Sequence, residues 1–100
     1  MDMDEIIKAL ANPVRRQILQ WLKDPERNFP PHHGPYKLAD GVCVGHIQAK
    51  AELSQSTVSA YLAMLQRAGL VSSKRVGQWT FYRRNETTIR EFLDCLSRQV

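Results

Sequence analysis

Apolar residues recur at helical spacing along most of this chain, and turn-forming residues separate one repeat from the next. The first repeat places Ile6, Ile7 and Leu10 on one side of a short helix, which begins with acidic residues that the helix dipole favours. Asn12 followed by Pro13 has the residue types of an N-cap and a first helical position, so a second helix begins there. The N-terminal part of the chain is therefore predicted to be α-helical.

The clearest helical repeat begins after Ser54, a good N-cap residue. Its apolar positions follow the i, i+3, i+4, i+7 spacing of one buried helix face: Val58, Tyr61, Leu62 and Leu65. Gly69 then suits the position after a helix end, where the backbone needs a positive φ. Residues 70–76 and 79–84 are rich in β-forming residues, and Gly77-Gln78 between them is a two-residue hairpin signal. The stretch predicts a helix followed by a β-hairpin.

Charge gives this helix and hairpin a functional interpretation. No Asp or Glu occurs from Leu53 to Asn85, whereas five residues there are basic: Arg67, Lys74, Arg75, Arg83 and Arg84. Such a surface suits phosphate groups, and small polar side chains on the exposed helix face suit base edges. The alternative is a solvated hairpin with chance basic residues. The predicted DNA contacts are Ser54, Gln55, Ser56, Thr57, Ser59, Ala60 and Tyr61 on the helix, with Lys74, Arg75 and Gln78 on the hairpin.

Length and composition fit one small globular domain, residues 1–100. The apolar fraction is 43%, the charged fraction is 24% and the formal net charge is +4. The positive charge favours an acidic partner, most commonly nucleic acid, and a domain this small often gains burial by dimerising. With no signal peptide, membrane span or lipidation signal and only two cysteines, the chain is expected to be cytoplasmic with reduced thiols. No cofactor is expected.

Residues 24–41 have a different character from the rest of the chain. They hold four of the five prolines and show no helical periodicity, so a long inserted loop is predicted. Phe29, Tyr36 and Leu38 are candidates to pin this loop to the body of the domain. The His32-His33 pair is either part of a structural loop or a contributor to a metal site, since imidazole is a common metal ligand.

Residues 42–50 are predicted to form a third helix, and residues 51–53 the tight turn that completes a helix-turn-helix. Cys43 falls at the N-cap, where the helix dipole stabilises a thiolate, and His46 is placed to share its proton. Cys43 is therefore either a reactive sensor of oxidants or electrophiles, or an inert packing residue. Cys95 has three candidate partners: its copy in a second chain, Cys43, or none.

Asn85 caps a last helix with an apolar stripe of its own. That stripe consists of Ile89, Phe92, Leu93 and Leu96. Because no later segment of this sequence covers the stripe, we expect it to form a homodimer seam together with Ile6, Ile7 and Leu10 of the first helix. The alternative is that it packs on its own domain.

Four segments together resemble the ArsR/SmtB family of bacterial transcriptional repressors. They read ALANPVRRQIL (residues 9–19), LSQSTVS (53–59), LQRAGLV (65–71) and GQWTFYR (77–83). The resemblance covers nearly the whole chain except residues 24–41. It implies a winged helix-turn-helix homodimer that binds operator DNA and releases it when an inducer arrives. It also implies a recognition helix at residues 54–68 and a wing at residues 72–82.

The sequence departs from this family at the metal-binding positions. Members that sense arsenic, cadmium or lead commonly carry Cys-Val-Cys-Asp at the start of the third helix, where this chain has Cys43-Val44-Gly45-His46. Members that sense zinc or nickel use Asp and His on the last helix, and this last helix has no histidine. A metal site would need Cys43, His46 and the loop histidines, so metal sensing is not the favoured interpretation.

The sequence therefore predicts a mainly α fold with a β-hairpin wing, about five helices and a homodimer joined through the first and last helices. The function expected is a dimeric repressor that binds an inverted-repeat operator and releases it on induction, with oxidation of Cys43 as the candidate signal. The alternatives are a metal-responsive repressor and a winged-helix module that binds a protein through its proline-rich loop. An enzyme is excluded because Cys43 and His46 lack an oxyanion donor and a third orienting group.

Overall fold

The computed structural model describes residues 1–32, 34 and 36–100, in which helices surround one small sheet. In chain order the elements are α1 (Met3–Leu10), α2 (Pro13–Lys23), α3 (Pro25–Asn28), a 3₁₀ turn (Leu38–Asp40), β1 (Val42–Cys43), α4 (Val44–Ala51), α5 (Gln55–Arg67), β2 (Val71–Val76), β3 (Trp79–Arg84) and α6 (Glu86–Gln99). The six α-helices of this described part include one that was not expected. The extra helix, α3, lies in the segment predicted to have no helix, where Pro25 supplies a fixed φ at its first position.

Three predicted helix starts are confirmed by their caps. The side-chain oxygen of Asn12 accepts hydrogen bonds from the backbone N–H groups of Val14 and Arg15, at 2.8 and 3.1 Å. Ser54 accepts from the N–H of Thr57 at 3.2 Å, and Asn85 accepts from that of Thr88 at 3.3 Å. Each cap satisfies backbone donors that have no partner inside the helix, which fixes where the helix begins.

The turn between α4 and α5, predicted at residues 51–53, lies one residue later at residues 52–54. Helix α4 ends at Ala51, and Glu52 adopts the left-handed conformation with φ 56° before α5 begins at Gln55. At the other end of α5, Gly69 has φ 80°, as expected of the residue after a helix end. The two helices thus form a helix-turn-helix.

The sheet has three antiparallel strands in the order β1-β3-β2. Strands β2 and β3 form the predicted hairpin, in which Val76 pairs with Trp79 and leaves Gly77-Gln78 as the two-residue turn. Strand β1 was not predicted, because residues 42–50 were assigned to the third helix with Cys43 at its N-cap. Instead, Val42 pairs with Tyr82 and Cys43 with Phe81, and α4 begins only at Val44. Pairing with a distant strand overrides the local pattern there.

One hydrophobic core joins the elements. Its fully buried side chains include Ile6 of α1, Ile18 of α2, Ile47 of α4 and Leu62 of α5. Phe29 and Leu38 also belong to this core, which confirms that they anchor the loop. Among the residues described, no helix is long and apolar enough to cross a bilayer.

Candidate nucleic-acid interface

Helix α5 presents a polar face to solvent, and most of the predicted contacts lie on it. The exposed ones are Ser54, Gln55, Ser56, Ser59 and Ala60, and Thr57 is half-buried. On the opposite side Val58, Leu62 and Leu65 are fully buried and fix the helix to the core. The buried face therefore sets the orientation of the face that is free to contact a ligand.

The hydroxyl groups at the start of α5 hydrogen-bond with one another. Ser54 Oγ donates to Thr57 Oγ1 at 2.8 Å and lies 3.2 Å from Ser56 Oγ. These groups sit at the positive end of a helix of 13 residues, beside backbone N–H groups that point outward. A cluster of this kind suits a phosphate oxygen at the mouth of a groove.

The wing, defined as β2, β3 and their turn, carries its basic residues on both of its faces. Strand alternation places Lys74 and Arg75 on opposite faces, and both are exposed, as is Gln78 in the turn. Arg83 is exposed as well. Arg84 differs because its guanidinium forms a two-pronged ion pair with Glu86, with nitrogen–oxygen distances of 2.8 and 3.0 Å. Three wing cations are therefore available to an external anion.

Tyr61 is the predicted contact that the structure places elsewhere. It is half-buried and packs against the core, and its hydroxyl accepts a hydrogen bond from Asn12 Nδ2 at 3.5 Å. The Arg15 guanidinium lies over its ring, 5.3 Å from the centroid. Tyr61 thus belongs to the packing between α2 and α5, in keeping with its place in the apolar repeat.

One ionisable group of the sheet is shifted from its ordinary range. Tyr82 pairs with Val42 at the base of the wing, and burial there raises the pKa of its phenol because the charged form would lose hydration. Tyr82 therefore stays neutral at physiological pH and adds no negative charge to the basic surface.

The candidate sensor residues lie at different depths. Cys43 occupies the N-cap of α4 as predicted, but its side chain makes no capping hydrogen bond and only 3% of its surface is exposed. His46 and Cys95 are half-buried, and both cysteines are free thiols. Among the described residues, no three His, Cys, Asp or Glu side chains are grouped to hold a metal ion. His33, the other loop histidine, lies outside the described residues.

The residues expected at the dimer seam divide into three groups by their exposure. Ile6 is fully buried and Phe92 is 5% exposed, so both are core residues of their own chain and correct the expectation that they face a partner. Ile7 and Leu93, by contrast, are 45% and 55% exposed. The remaining three, Leu10, Ile89 and Leu96, are half-buried against the core. Helices α1 and α6 therefore each bury one apolar face in the core and expose part of a second apolar face to solvent.

An aromatic cluster on the wing was missed by the sequence reasoning. Tyr36 stacks on Phe81 with ring centroids 3.8 Å apart, and His32 contacts both Phe81 and Trp79 edge-on at 5.0 and 5.2 Å. The signal in the sequence was the occurrence of aromatic residues in this loop, and Tyr36 was accordingly named as a residue that pins it to the domain. That signal does not identify the surface on which the loop packs.

A recognition helix with a polar exposed face, followed by a basic wing, defines a winged helix-turn-helix protein of the DNA-binding type. The family model described as "Bacterial regulatory protein, arsR family" matches residues 36–73. The chain is 46% identical over 100 residues to an uncharacterised HTH-type transcriptional regulator, YbzH, of Bacillus subtilis, and the match covers all of both chains. This chain belongs to the ArsR family and is a transcriptional regulator, not an enzyme.

Two further relatives agree with this assignment. The transcriptional activator HlyU of Vibrio cholerae is 34% identical, over 93% of this chain and 72% of its own length. The homodimeric winged helix-turn-helix DNA-binding domain of a possible ArsR-family regulator from Mycobacterium bovis superposes with a TM-score of 0.66 at 28% identity. That superposition covers 96% of this chain and 76% of the other.

Proposed function

We propose that this protein is a transcriptional repressor whose homodimer occupies an inverted-repeat operator. The observation that carries the proposal is the exposed polar face of α5 beside the exposed wing cations, in a segment, residues 53–85, that contains no Asp or Glu. Gln55, Ser56 and Ser59 would approach base edges in the major groove, while Lys74 and Arg75 would contact phosphates. An occupied operator excludes polymerase, and release of the operator would restore transcription.

The dimer is supported by the outward apolar faces of α1 and α6. In α6, Ile89, Leu93 and Leu96 are spaced to share one face, and Leu93 is 55% exposed. In α1, Ile7 is 45% exposed. Covering such residues with a second copy removes apolar surface from water and gives a twofold protein. A twofold protein would read half-sites about one helical turn, or a multiple of a turn, apart.

The proposal is tested by removing two wing charges with Lys74→Ala plus Arg75→Ala. We expect operator affinity to fall about tenfold or more at moderate salt, because two wings lose their phosphate contacts. The slope of log affinity against log salt concentration should become shallower by about 2 to 4, at about 0.9 for each lost phosphate contact. The measurement is fluorescence anisotropy with a duplex selected by the unaltered protein from a random-sequence pool.

The matched control for this test is Arg27→Ala plus Arg90→Ala, which removes the same charge from exposed positions on α3 and α6. It should leave the slope unchanged. If the wing variant binds as tightly as the unaltered protein and with the same salt slope, the wing does not contact DNA. A winged-helix module that binds a protein partner would then become the better interpretation.

We further propose that oxidation of Cys43 is the signal that releases DNA. Cys43 sits where β1 meets α4 and pairs with Phe81 of the wing, so an added oxygen there would disturb both α4 and β3. The buried thiol must first be exposed by local opening, which makes the response slow relative to that of a surface thiolate. With peroxide, the thiolate sulfur takes one oxygen to become a sulfenate as the O–O bond breaks, and water is released after protonation.

Peroxide treatment is the corresponding experiment. We expect oxidised protein to lose operator affinity about tenfold or more, with recovery on addition of a thiol reductant. Cys43→Ser should abolish the response, whereas Cys95→Ser, the matched control, should retain it. A response that persists in Cys43→Ser and disappears in Cys95→Ser would move the sensor to α6. A response to added zinc in reduced protein would favour the metal-responsive alternative instead.

A further inference from the structure

The inserted loop covers one face of the wing. We call residues 29–40 the strap; His33 and Pro35 within it lie outside the described residues. Strand register places Lys74, Trp79 and Phe81 on the outer face of the wing, the face opposite Val42 and Val71, which are buried in the core. Phe81 is only 2% exposed although it lies in the hairpin. On this face Phe81 lies beside Cys43 of β1 and is contacted by two rings of the strap, those of His32 and Tyr36.

Ring contacts join the strap to the wing. Tyr36 and Phe81 are nearly parallel, with an interplanar angle of 15° and centroids 3.8 Å apart. His32 lies edge-on to Phe81 and to Trp79, at 5.0 and 5.2 Å, and reaches His46 of α4 at 5.8 Å. His32 therefore contacts two wing rings and the helix-turn-helix at once.

The strap is itself fixed at both ends, so it can hold another element in place. At its start, Phe29 is 5% exposed and meets the Trp21 ring edge-on at 6.5 Å. At its end, Leu38 is buried, and Tyr36 Oη donates to the backbone oxygen of Asp40 at 3.3 Å. Gly41 follows with φ 150°, where an added Cβ would lie only 3.0 Å from the Cβ of Phe81. The chain thus leaves the strap in close contact with the wing.

The other face of the wing has little support of its own beyond its base. Val71 is buried, and Gln66 Nε2 of α5 donates to Ser73 Oγ at 3.0 Å. Further out, Arg75 is exposed and Thr80 is only half-buried. Because a two-stranded hairpin is marginally stable by itself, the contacts on the outer face matter for the position of the wing.

We propose that the strap positions the wing for DNA, with His32 and Tyr36 as the positioning residues. Tyr36 borders a groove of about 520 Å³ whose lining also includes Lys74 and Arg83, so the strap lies beside the cations that it would orient. Ordering these residues before binding reduces the entropy that binding must offset. This inference rests on the proposed DNA binding.

The test is a double-mutant cycle between strap and wing. His32→Ala plus Tyr36→Ala should weaken operator binding about tenfold and make the salt slope shallower, because a mobile wing forms fewer phosphate contacts. The loss of operator affinity caused by Lys74→Ala plus Arg75→Ala should then be clearly smaller in the strap variant than in the unaltered protein. A loss of folded protein alone would lower the active fraction and leave the salt slope unchanged. His32→Ala alone serves as the milder variant if the double change lowers thermal stability.

Two controls separate ring contact from other effects. Pro31→Ala alters an exposed strap residue and should bind as the unaltered protein does, and His32→Phe, which keeps an aromatic ring, should retain most of the affinity. In a Trp21→Phe background, Trp79 is the remaining tryptophan, and its emission should shift on His32→Ala but not on Pro31→Ala.

The outcomes are distinguishable. Two results together would overturn the role of the strap and leave DNA binding intact. The fold losses of operator affinity would multiply in the combined variant, and the salt slope of the strap variant would be unchanged. If the unaltered protein itself shows no sequence-preferring DNA binding, both the proposed function and this inference fail.

Discussion

Ile7→Asp combined with Leu93→Asp is expected to convert the proposed dimer into a monomer and to weaken the proposed operator binding by about a hundredfold or more. Both side chains are exposed on outward apolar faces, at 45% and 55%, and a carboxylate there would have to be buried without a partner. A monomer keeps its recognition helix but contacts only one half-site, so the gain from bivalent binding is lost. Analytical ultracentrifugation gives the mass, and anisotropy gives the affinity.

Gln17→Asp plus Ser97→Asp is the control, since it adds the same two carboxylates at exposed polar positions on α2 and α6. It should remain a dimer with unaltered affinity. A dimer that persists in the Ile7→Asp and Leu93→Asp variant would show that the subunits associate through another surface.

Local chemistry made much of the fold predictable from the sequence. Asn12, Ser54 and Asn85 are residues whose side chains satisfy free helix N–H groups, and each caps the helix assigned to it. Gly77-Gln78 forms its two-residue turn because Gly77 tolerates a φ of 60°. Each of these features depends on a few neighbouring residues, and for that reason the sequence alone identifies them.

Contacts between distant segments were not predictable in the same way. Strand β1 exists because Val42 and Cys43 pair with β3 some forty positions along the chain, against a local pattern that favours helix. Phe92 shares a helical stripe with Leu93, yet one faces the core and the other faces solvent. Periodicity places residues on a helix face but does not say whether the core or a partner covers that face.

Phe81 is the residue at which the strap and the proposed sensor meet. It pairs with Cys43 across the sheet and stacks on Tyr36 of the strap, and its neighbour Tyr82 pairs with Val42. A change at Cys43 that displaced β1 would therefore act on the same strand that the strap holds. A sensor response that is stronger in the strap variant than in the unaltered protein would be the sign of this coupling.

The other large effect is expected at Arg15, a buried cation that the sequence reasoning did not single out. Arg15 is 8% exposed, its Nε donates to the backbone oxygen of Ala9 at 2.7 Å, and its Nη2 donates to that of Lys8 at 3.0 Å. Both acceptors lie at the C-terminal end of α1, where the helix dipole is negative. No ion pair joins Arg15 to an acidic side chain among the described residues, so these carbonyls and the Tyr61 ring compensate its charge.

Arg15→Met should lower the free energy of unfolding by about 2–4 kcal/mol, because the Ala9 oxygen loses its donor and the Lys8 oxygen keeps only the backbone N–H of Ala11. Arg16→Met is the matched control: Arg16 is exposed and bonds the Leu10 oxygen from the surface, so its loss should cost less than about 1 kcal/mol. Urea unfolding at fixed protein concentration measures both. If Arg15→Met is as stable as the unaltered protein, desolvation of the guanidinium cancels its hydrogen bonds, and α1 is held by its apolar contacts with the core, chiefly those of Ile6 and Ala9. If it is destabilised as expected, Arg15 joins the end of α1 to Tyr61, and so couples the proposed dimer helix to the helix proposed to read DNA.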